Sequence, residues 1–133
     1  MKRNFHTLSI ACVLLVTCSC GLGHKSSPSD VVLKAYKAAN EGKYAEVEKY
    51  LSFDTVDAIK AATKEFGSWV GGMKGIWDEW TRKRTIERLE KLNEEIRGDR
   101  AKVYFRIHFK DGSAKDDDVN LIKEGGQWKI KAG

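Results

Sequence analysis

An unbroken alternation of apolar and polar residues near the carboxyl terminus constrains the fold of this chain more than any other feature. Over residues 101–109, every second side chain is Ala, Val, Phe or Ile, and the residues between them are Lys, Tyr, Arg and His. A period of two is typical of a β-strand with one buried and one solvated face. Asp111-Gly112 predicts a hairpin turn, and Gly125-Gly126 predicts another turn before a last strand that contains Trp128. The carboxyl-terminal third is therefore predicted to be an antiparallel sheet.

Helical spacing of apolar residues dominates the region before this sheet. Ser27 and Pro28 predict the start of a first helix, which a second short helix over residues 43–51 follows. Asp54 or Thr55 is expected to cap a third helix. Four glycines disfavour a helix in the next stretch, so we expect a loop over residues 67–72 and then a helix to about residue 82. These glycines are Gly67, Gly71, Gly72 and Gly75.

Residues 85–96 fit two structures. Ile86, Leu89 and Ile96 follow a helical spacing, and the segment is rich in good helix formers. Gly98-Asp99 instead predicts a tight turn into the alternating strand, which requires an upstream strand with a bulge. Periodicity alone leaves both possibilities open.

The amino terminus has the layout of an export signal. Lys2 and Arg3 precede a short apolar run over residues 8–16. That run is well short of the roughly 20 residues that a membrane-spanning helix requires. The sequence therefore predicts a signal peptide over residues 1–19, a short polar tether over residues 20–28 and one folded domain over residues 29–133.

Cysteine placement predicts a lipid anchor. All three cysteines lie within the first twenty residues, so no disulfide is expected in the domain. Residues 16–20 (VTCSC) resemble a bacterial lipobox, in which Cys20 would be the acylated residue. Cys18 is the alternative acylation site, and a secreted form without lipid is a third possibility. Acylation would hold the chain firmly at the membrane of a bacterial cell envelope. No Asp follows Cys20 directly, which favours the outer membrane.

The charge balance does not favour a nucleic-acid partner. The chain has 133 residues and a net charge of +5. Removing residues 1–19 also removes Lys2 and Arg3, which leaves a mature net charge of about +3. Interspersed charges of this kind are typical of a solvated surface.

Aromatic residues supply the candidate ligand pocket. Trp69, Trp77 and Trp80 follow one helical face, and together with Tyr36 they form the candidate lining of a pocket for a small apolar ligand. The alternative is that these rings simply pack as core against the sheet.

The sequence offers no catalytic or metal-binding constellation. His108 alternates with apolar neighbours, so it is expected on the polar face of its strand. The side chains of residues 116–118 (DDD) alternate between faces and cannot converge on a metal ion. We therefore expect no catalytic residue, metal or cofactor.

Several carboxyl-terminal pieces together carry a family resemblance. They are Gly98-Asp99-x-Ala101-x-Val103, Lys110-Asp111-Gly112 and Gly126-x-Trp128-Lys129-Ile130. With an opening Lys-Ala-Tyr helix, this order over residues 29–131 resembles small bacterial lipoproteins that carry a domain of unknown function in the nuclear transport factor 2-like (cystatin-like) superfamily. The resemblance implies an α+β fold in which amino-terminal helices pack on a curved antiparallel sheet of about four strands, forming a cone. It also favours a strand over residues 85–96.

The resemblance leaves three functions open. The first is a non-catalytic module that holds a small apolar ligand in its cone or contacts an envelope protein. The second is a structural envelope lipoprotein with a filled core. The third is an enzyme, since the superfamily includes ketosteroid isomerase and SnoaL-like cyclases.

Overall fold

The computed structural model describes residues 26–132. The predicted signal peptide and both candidate lipidation residues, Cys18 and Cys20, lie outside the described residues. The described part contains four α-helices followed by four β-strands. No helix within residues 26–132 combines the length and the apolar character that crossing a bilayer demands.

The first helix begins where the sequence predicts. Helix α1 spans Pro28–Asn40, and Ser27 caps it in a reciprocal arrangement with Asp30. The Ser27 hydroxyl accepts a hydrogen bond from the Asp30 backbone N–H at 3.2 Å, and the Asp30 carboxylate accepts one from the Ser27 backbone N–H at 3.3 Å. This capping box satisfies two backbone donors that the helix itself leaves unpaired.

The next two helices are shorter than α1. Helix α2 spans Tyr44–Val47 and continues into a 3-10 turn over Glu48–Tyr50. Helix α3 spans Phe53–Ala62, and Ser52 caps it by accepting from the Thr55 backbone N–H. The expectation that Asp54 or Thr55 caps this helix was therefore wrong. Ser52 is nearly completely buried, so its hydroxyl also satisfies the neighbouring Thr55 hydroxyl at 2.7 Å.

Helix α4 corrects the expected loop over residues 67–72. A 3-10 turn over Lys64–Phe66 ends at Gly67, and α4 then spans Trp69–Thr81. Ser68 caps α4 by accepting from the Gly71 backbone N–H at 3.1 Å. The loop is therefore only two residues long. Gly71 and Gly72 lie inside the helix because the preceding chain approaches the α4 backbone closely at these two positions.

The sheet confirms the predicted architecture. Strands β1 (Ile86–Arg97), β2 (Arg100–Phe109), β3 (Ala114–Glu124) and β4 (Gln127–Lys131) form an antiparallel sheet in the order β1-β2-β3-β4. The ambiguous segment is thus a strand, and its pairing with β2 shifts register twice, between Ile86 and Arg88 and between Lys91 and Asn93. Such a bulge interrupts the two-residue alternation, which explains why the sequence of β1 mimics a helix.

The helices cover the concave face of the sheet. The largest buried side chains of this layer, Phe105, Ile107 and Phe109 of β2, pack with Val31 and Val32 of α1. A smaller cluster lies between α1, α2 and α4, formed by Ala38, Ala39, Val47 and Met73. The two clusters leave space between them, and that space is the candidate site.

Candidate functional site

A cavity of about 270 Å³ lies between the helices and the last strand. Helices α1, α2, α3 and α4 and strand β4 all contribute to its wall. The cavity is open to solvent on one side. Ile76 of α4 and Ala132 are exposed, so these two lining residues mark the opening.

Small or purely apolar side chains form most of this wall. The lining residues are Ala35, Tyr36, Ala39, Val47, Leu51, Thr55, Ile59, Met73, Ile76, Trp77, Trp80, Ile130 and Ala132. Thr55 is a polar member of this set, and its hydroxyl oxygen already accepts from the Ala132 backbone N–H at 2.9 Å. None of these lining residues is a carboxylate, a histidine or a cysteine. The wall is therefore suited to apolar contact rather than to proton transfer.

Three of the four residues proposed for the pocket meet at this cavity. The ring of Tyr36 makes edge-to-face contacts with Trp77 and Trp80, with ring centres 5.6 and 5.4 Å apart. Trp77 and Trp80 themselves lie 5.3 Å apart. Phe105 of the sheet closes the group with an edge-to-face contact to Tyr36 at 5.1 Å. We call these four rings the aromatic cluster.

The aromatic cluster also keeps Tyr36 neutral. Burial among these rings raises the pKa of Tyr36 well above its usual range, and the negative charge of Asp117 raises it further. The hydroxyl therefore stays protonated throughout the physiological pH range and can donate a hydrogen bond but not a proton. Tyr36, Trp77 and Trp80 pack against the sheet core and also line the cavity, whereas Phe105 lies wholly in the core.

Trp69 does not join the other two tryptophans. It is the first residue of α4 and lies eight residues before Trp77, which places it about 12 Å away along the helix axis. Its indole Nε1–H donates to the Tyr44 carbonyl at 2.9 Å, so it ties α4 to α2. Helical spacing correctly places Trp69 on the same face but cannot show that this face meets a different neighbour at each end.

Two charged side chains on the concave face escaped the sequence analysis. Asp117 pairs with Phe105 and Lys115 pairs with Ile107, so both share the buried face of β2. The Lys115 ammonium lies 4.9 Å from the centre of the Trp80 ring. The alternation of β3 could have predicted this position. Val119 and Leu121 are buried, and residues 115 and 117 lie on the same face of the strand because they are separated from them by even numbers of residues. Neither residue contributes to the cavity wall.

The neighbouring charges lie on the convex face, as the alternation predicts. Asp116 accepts two hydrogen bonds from the Arg106 guanidinium at 2.6 and 3.0 Å, and this contact lowers the pKa of Asp116. His108 Nε2 lies 2.9 Å from a Glu90 carboxylate oxygen, and that hydrogen bond lowers the pKa of Glu90. Within residues 26–132, no group of three or more potential ligands could hold a metal ion.

Helices packed on the concave face of a curved four-stranded sheet, with a cavity at their junction, define a protein with the nuclear transport factor 2-like fold. The family model described as "Domain of unknown function (DUF4878)" matches residues 18–131. The chain belongs to this family.

Two solved structures support the fold assignment. A Campylobacter jejuni protein that carries the provisional name NTF2-like transpeptidase is 17% identical, with a TM-score of 0.62. The match covers 81% of this chain and 100% of that one. A SEC-C motif-containing protein from Rhodopseudomonas palustris is 16% identical, with a TM-score of 0.60, covering 80% of this chain and 77% of that one. No curated protein sequence matches this chain.

Proposed function

We propose that this protein is a membrane-anchored lipoprotein of the bacterial cell envelope whose cone holds a small apolar ligand without chemical turnover. The observation that carries the binding proposal is the apolar cavity beside the aromatic cluster. A core filled by its own side chains is the alternative, and an open space of about 270 Å³ argues against it.

The cavity volume indicates the size of the ligand. At about 30 Å³ for each water-sized group, the space accommodates roughly nine non-hydrogen atoms. This size lies just below the range of about 300–1,000 Å³ that is typical of pockets for drug-sized molecules. A medium-chain alcohol, a fatty acid or a small ring system fits these limits.

The wall favours binding over catalysis. A general base would require a carboxylate or histidine within hydrogen-bond reach of the ligand. Asp117 lies on the same sheet face as Phe105 but not in the cavity wall, and His108 lies on the convex face. The groups that contact a ligand in this cavity are therefore aromatic rings, aliphatic side chains and Thr55.

Titration of the purified chain with a graded series of linear alcohols tests the binding proposal. We expect tryptophan fluorescence and thermal unfolding to respond most strongly to chains of about nine non-hydrogen atoms. Ala35→Leu should abolish both responses, because Ala35 lines the cavity and the larger side chain fills it. Ala62→Leu makes the same change on the exposed side of α3 and should leave both responses intact. A flat response across the whole series would refute ligand binding.

The anchor requires a separate test, since its residues lie outside the described part of the chain. We expect labelled palmitate to enter the parent chain and the Cys18→Ala variant but not the Cys20→Ala variant. Membrane fractionation should follow the label. Loss of label from Cys18→Ala with retention in Cys20→Ala would move the anchor to Cys18.

A further inference from the structure

A second, larger cleft lies at the end of the molecule where the described chain begins. It has a volume of about 450 Å³ and lies between the start of α1, the 3-10 turn over Glu48–Tyr50 and the turn between β3 and β4. Its wall includes Ser26, Lys49, Tyr50, Trp128 and Lys129. The cavity described above has a different set of lining residues.

Lys49 and Lys129 line this cleft, and Lys34 and Lys123 contact residues of its wall. Lys129 Nζ donates to the Lys49 carbonyl, and Lys49 Nζ lies 5.2 Å from the centre of the Tyr50 ring. Lys34 Nζ donates to the Ser26 hydroxyl at 3.2 Å. Lys123 Nζ lies 5.2 Å from the centre of the Trp128 ring. We call this surface the basic cleft.

No carboxylate within residues 26–132 forms an ion pair with these four lysines. Elsewhere in the same range, five lysines do pair with a carboxylate: Lys43, Lys60, Lys74, Lys91 and Lys102. Six others do not, but they are not gathered around this cleft: Lys37, Lys64, Lys83, Lys110, Lys115 and Lys131. The basic cleft therefore concentrates positive charge that the described part of the protein does not neutralise.

The acidic residues of the same elements are already engaged. Glu48 pairs with Lys60 at 3.2 Å. Glu124 accepts from the Phe53 backbone N–H at 3.2 Å, and Asp30 belongs to the capping box of α1. Their charges reduce the local potential, but none of them compensates an individual lysine of the cleft.

We propose that the basic cleft docks on the anionic phosphate headgroups of the bilayer that holds the chain. This inference rests on the proposed anchor at Cys20. Six residue steps separate Cys20 from Ser26, and a chain of that length reaches at most about 20 Å. An acylated Cys20 would therefore hold the cleft close to the bilayer surface.

Charge and composition identify headgroups as the occupant. Attraction between exposed charges fades over a Debye length of about 8–10 Å, so only a surface held nearby by the tether benefits from it. Tyr50, which is partly exposed, supplies an aromatic edge beside the lysines, a combination that is common at membrane–water interfaces, whereas Trp128 is buried in the core. The two features together fit a phosphate-bearing lipid surface.

Chemical labelling of lysines in the full chain tests the proposal directly. The chain is incorporated into vesicles of phosphatidylcholine alone, or of phosphatidylcholine with about one-third phosphatidylglycerol, and exposed to an amine-acylating reagent. Each lysine near an anionic surface gains roughly a factor of five in affinity for that surface. We therefore expect labelling of the four cleft lysines to fall about five-fold on anionic vesicles, and high salt should restore it.

A matched pair of variants isolates the cleft. Lys49→Gln with Lys129→Gln should return labelling of Lys34 and Lys123 to the rate found on neutral vesicles. The control is Lys83→Gln with Lys110→Gln, which removes the same charge from the opposite end of β2 and should preserve the protection. Equal labelling on both kinds of vesicle would overturn the proposal. Protection by soluble glycerol phosphate but not by vesicles would also overturn it, in favour of a free phosphate ligand.

The anchor and the docking surface fail separately in this experiment. Mass spectrometry of the same sample reports whether Cys20 carries acyl chains. Acylation without lysine protection would keep the anchor and refute the basic cleft. Protection on anionic vesicles without acylation would keep the cleft and refute the anchor.

Discussion

Replacing Gly72 by alanine should destabilise the protein even though alanine is the better helix former. Gly72 lies within α4, where its backbone meets Thr63 just after α3. A methyl carbon added at this position would lie only 2.6 Å from Thr63 Cβ and 3.1 Å from Thr63 Cγ2. Carbon atoms at optimal contact are about 3.5–4.0 Å apart, so the two segments would have to separate by about 1 Å.

Two opposing effects decide the magnitude. Alanine gains about 1 kcal/mol over glycine inside a helix. Overpacking a well-packed site typically costs about 1–3 kcal/mol, and here the cost should lie at the upper end because Thr63 is buried and fixed. The Thr63 hydroxyl donates to the Ile59 carbonyl at 2.6 Å, which prevents an easy rotation. We expect Gly72→Ala to lower the free energy of unfolding by about 1–2 kcal/mol.

Gly75→Ala in the same helix provides the matched control. A methyl carbon there would lie 3.4–4.0 Å from the Phe66 ring, which is ordinary contact. This variant should therefore raise the free energy of unfolding by about 0.5–1 kcal/mol. Urea unfolding followed by circular dichroism measures both changes. If Gly72→Ala is as stable as the parent, the close approach of α4 to Thr63 is wrong.

Two further variants test contacts that fasten the helices to the sheet. Glu94→Gln should lower stability by about 1 kcal/mol at neutral pH, because the Glu94 carboxylate accepts hydrogen bonds from the Ser29 hydroxyl and, at 2.9 Å, from its backbone N–H. Arg84→Ala should cost about 1–2 kcal/mol, since the guanidinium stacks 3.8 Å from the Phe109 ring centre and donates to the Ser113 hydroxyl at 2.9 Å. Urea unfolding measures both.

The pH dependence of the Glu94 effect follows from its pKa. Partial burial raises the pKa of Glu94, but the Ser29 hydrogen bonds and Lys91 outweigh it and hold the pKa below its usual value. The carboxylate therefore contributes its stability fully above the unfolded pKa of about 4.3, and the contribution disappears as pH falls through the lower folded value. Glu95→Gln, on an exposed neighbour, should show neither effect. A Glu94→Gln deficit that stays constant down to pH 2–3 would contradict the assignment.

For Arg84 the control is a neighbour with the same charge. Arg82 ends α4 in a left-handed conformation and is exposed, so Arg82→Ala should not lose a comparable contact. Arg84→Lys should recover little, because a single ammonium cannot stack on Phe109 and also donate both to the Ser113 hydroxyl and to the Thr81 carbonyl, as the guanidinium does. Full recovery by lysine would show that charge alone matters at this position.

The spacing of apolar residues predicted an element correctly where pairing with neighbouring strands does not disturb that spacing. The β2 strand alternates without a fault because both of its neighbours pair with it along nearly its whole length. The β1 strand does not, because its pairing with β2 shifts register twice, between Ile86 and Arg88 and between Lys91 and Asn93. The sequence of one strand does not show where a bulge will place two of its residues opposite one residue of the partner strand.

The glycines of α4 show that helix propensity can also predict a loop where the structure has a helix. Helix propensity counts Gly71 and Gly72 as unfavourable and therefore predicts a loop. The structure keeps the helix, because the space that a side chain would take at these positions is filled by Phe66, Ser68 and Thr63. Tertiary packing outweighs local propensity here, and nothing in the local sequence shows which neighbour will approach.

The candidate site was predictable in composition but not in its boundaries. The sequence names Tyr36, Trp77 and Trp80 as pocket candidates, and the structure shows the Tyr36 ring in contact with both tryptophan rings. Small residues determine where the cavity lies: Ala35 and Ala39 of α1 face a region that larger side chains would fill. Only the three-dimensional arrangement shows that Ala39 packs with Met73 rather than with the sheet core.

The cavity carries an energetic cost that a filling substitution should recover. The wall is mostly apolar and its opening exposes that surface to water, so a larger apolar side chain that covers it should be favourable. Ala35→Leu adds three carbon atoms to the apolar wall and should stabilise the ligand-free protein by about 1–2 kcal/mol. If the cavity exists to hold a ligand, the same variant should gain no further stability from the alcohol that stabilises the parent. A destabilised Ala35→Leu variant in urea unfolding would show that the space is already filled, and the structural alternative would then replace ligand binding.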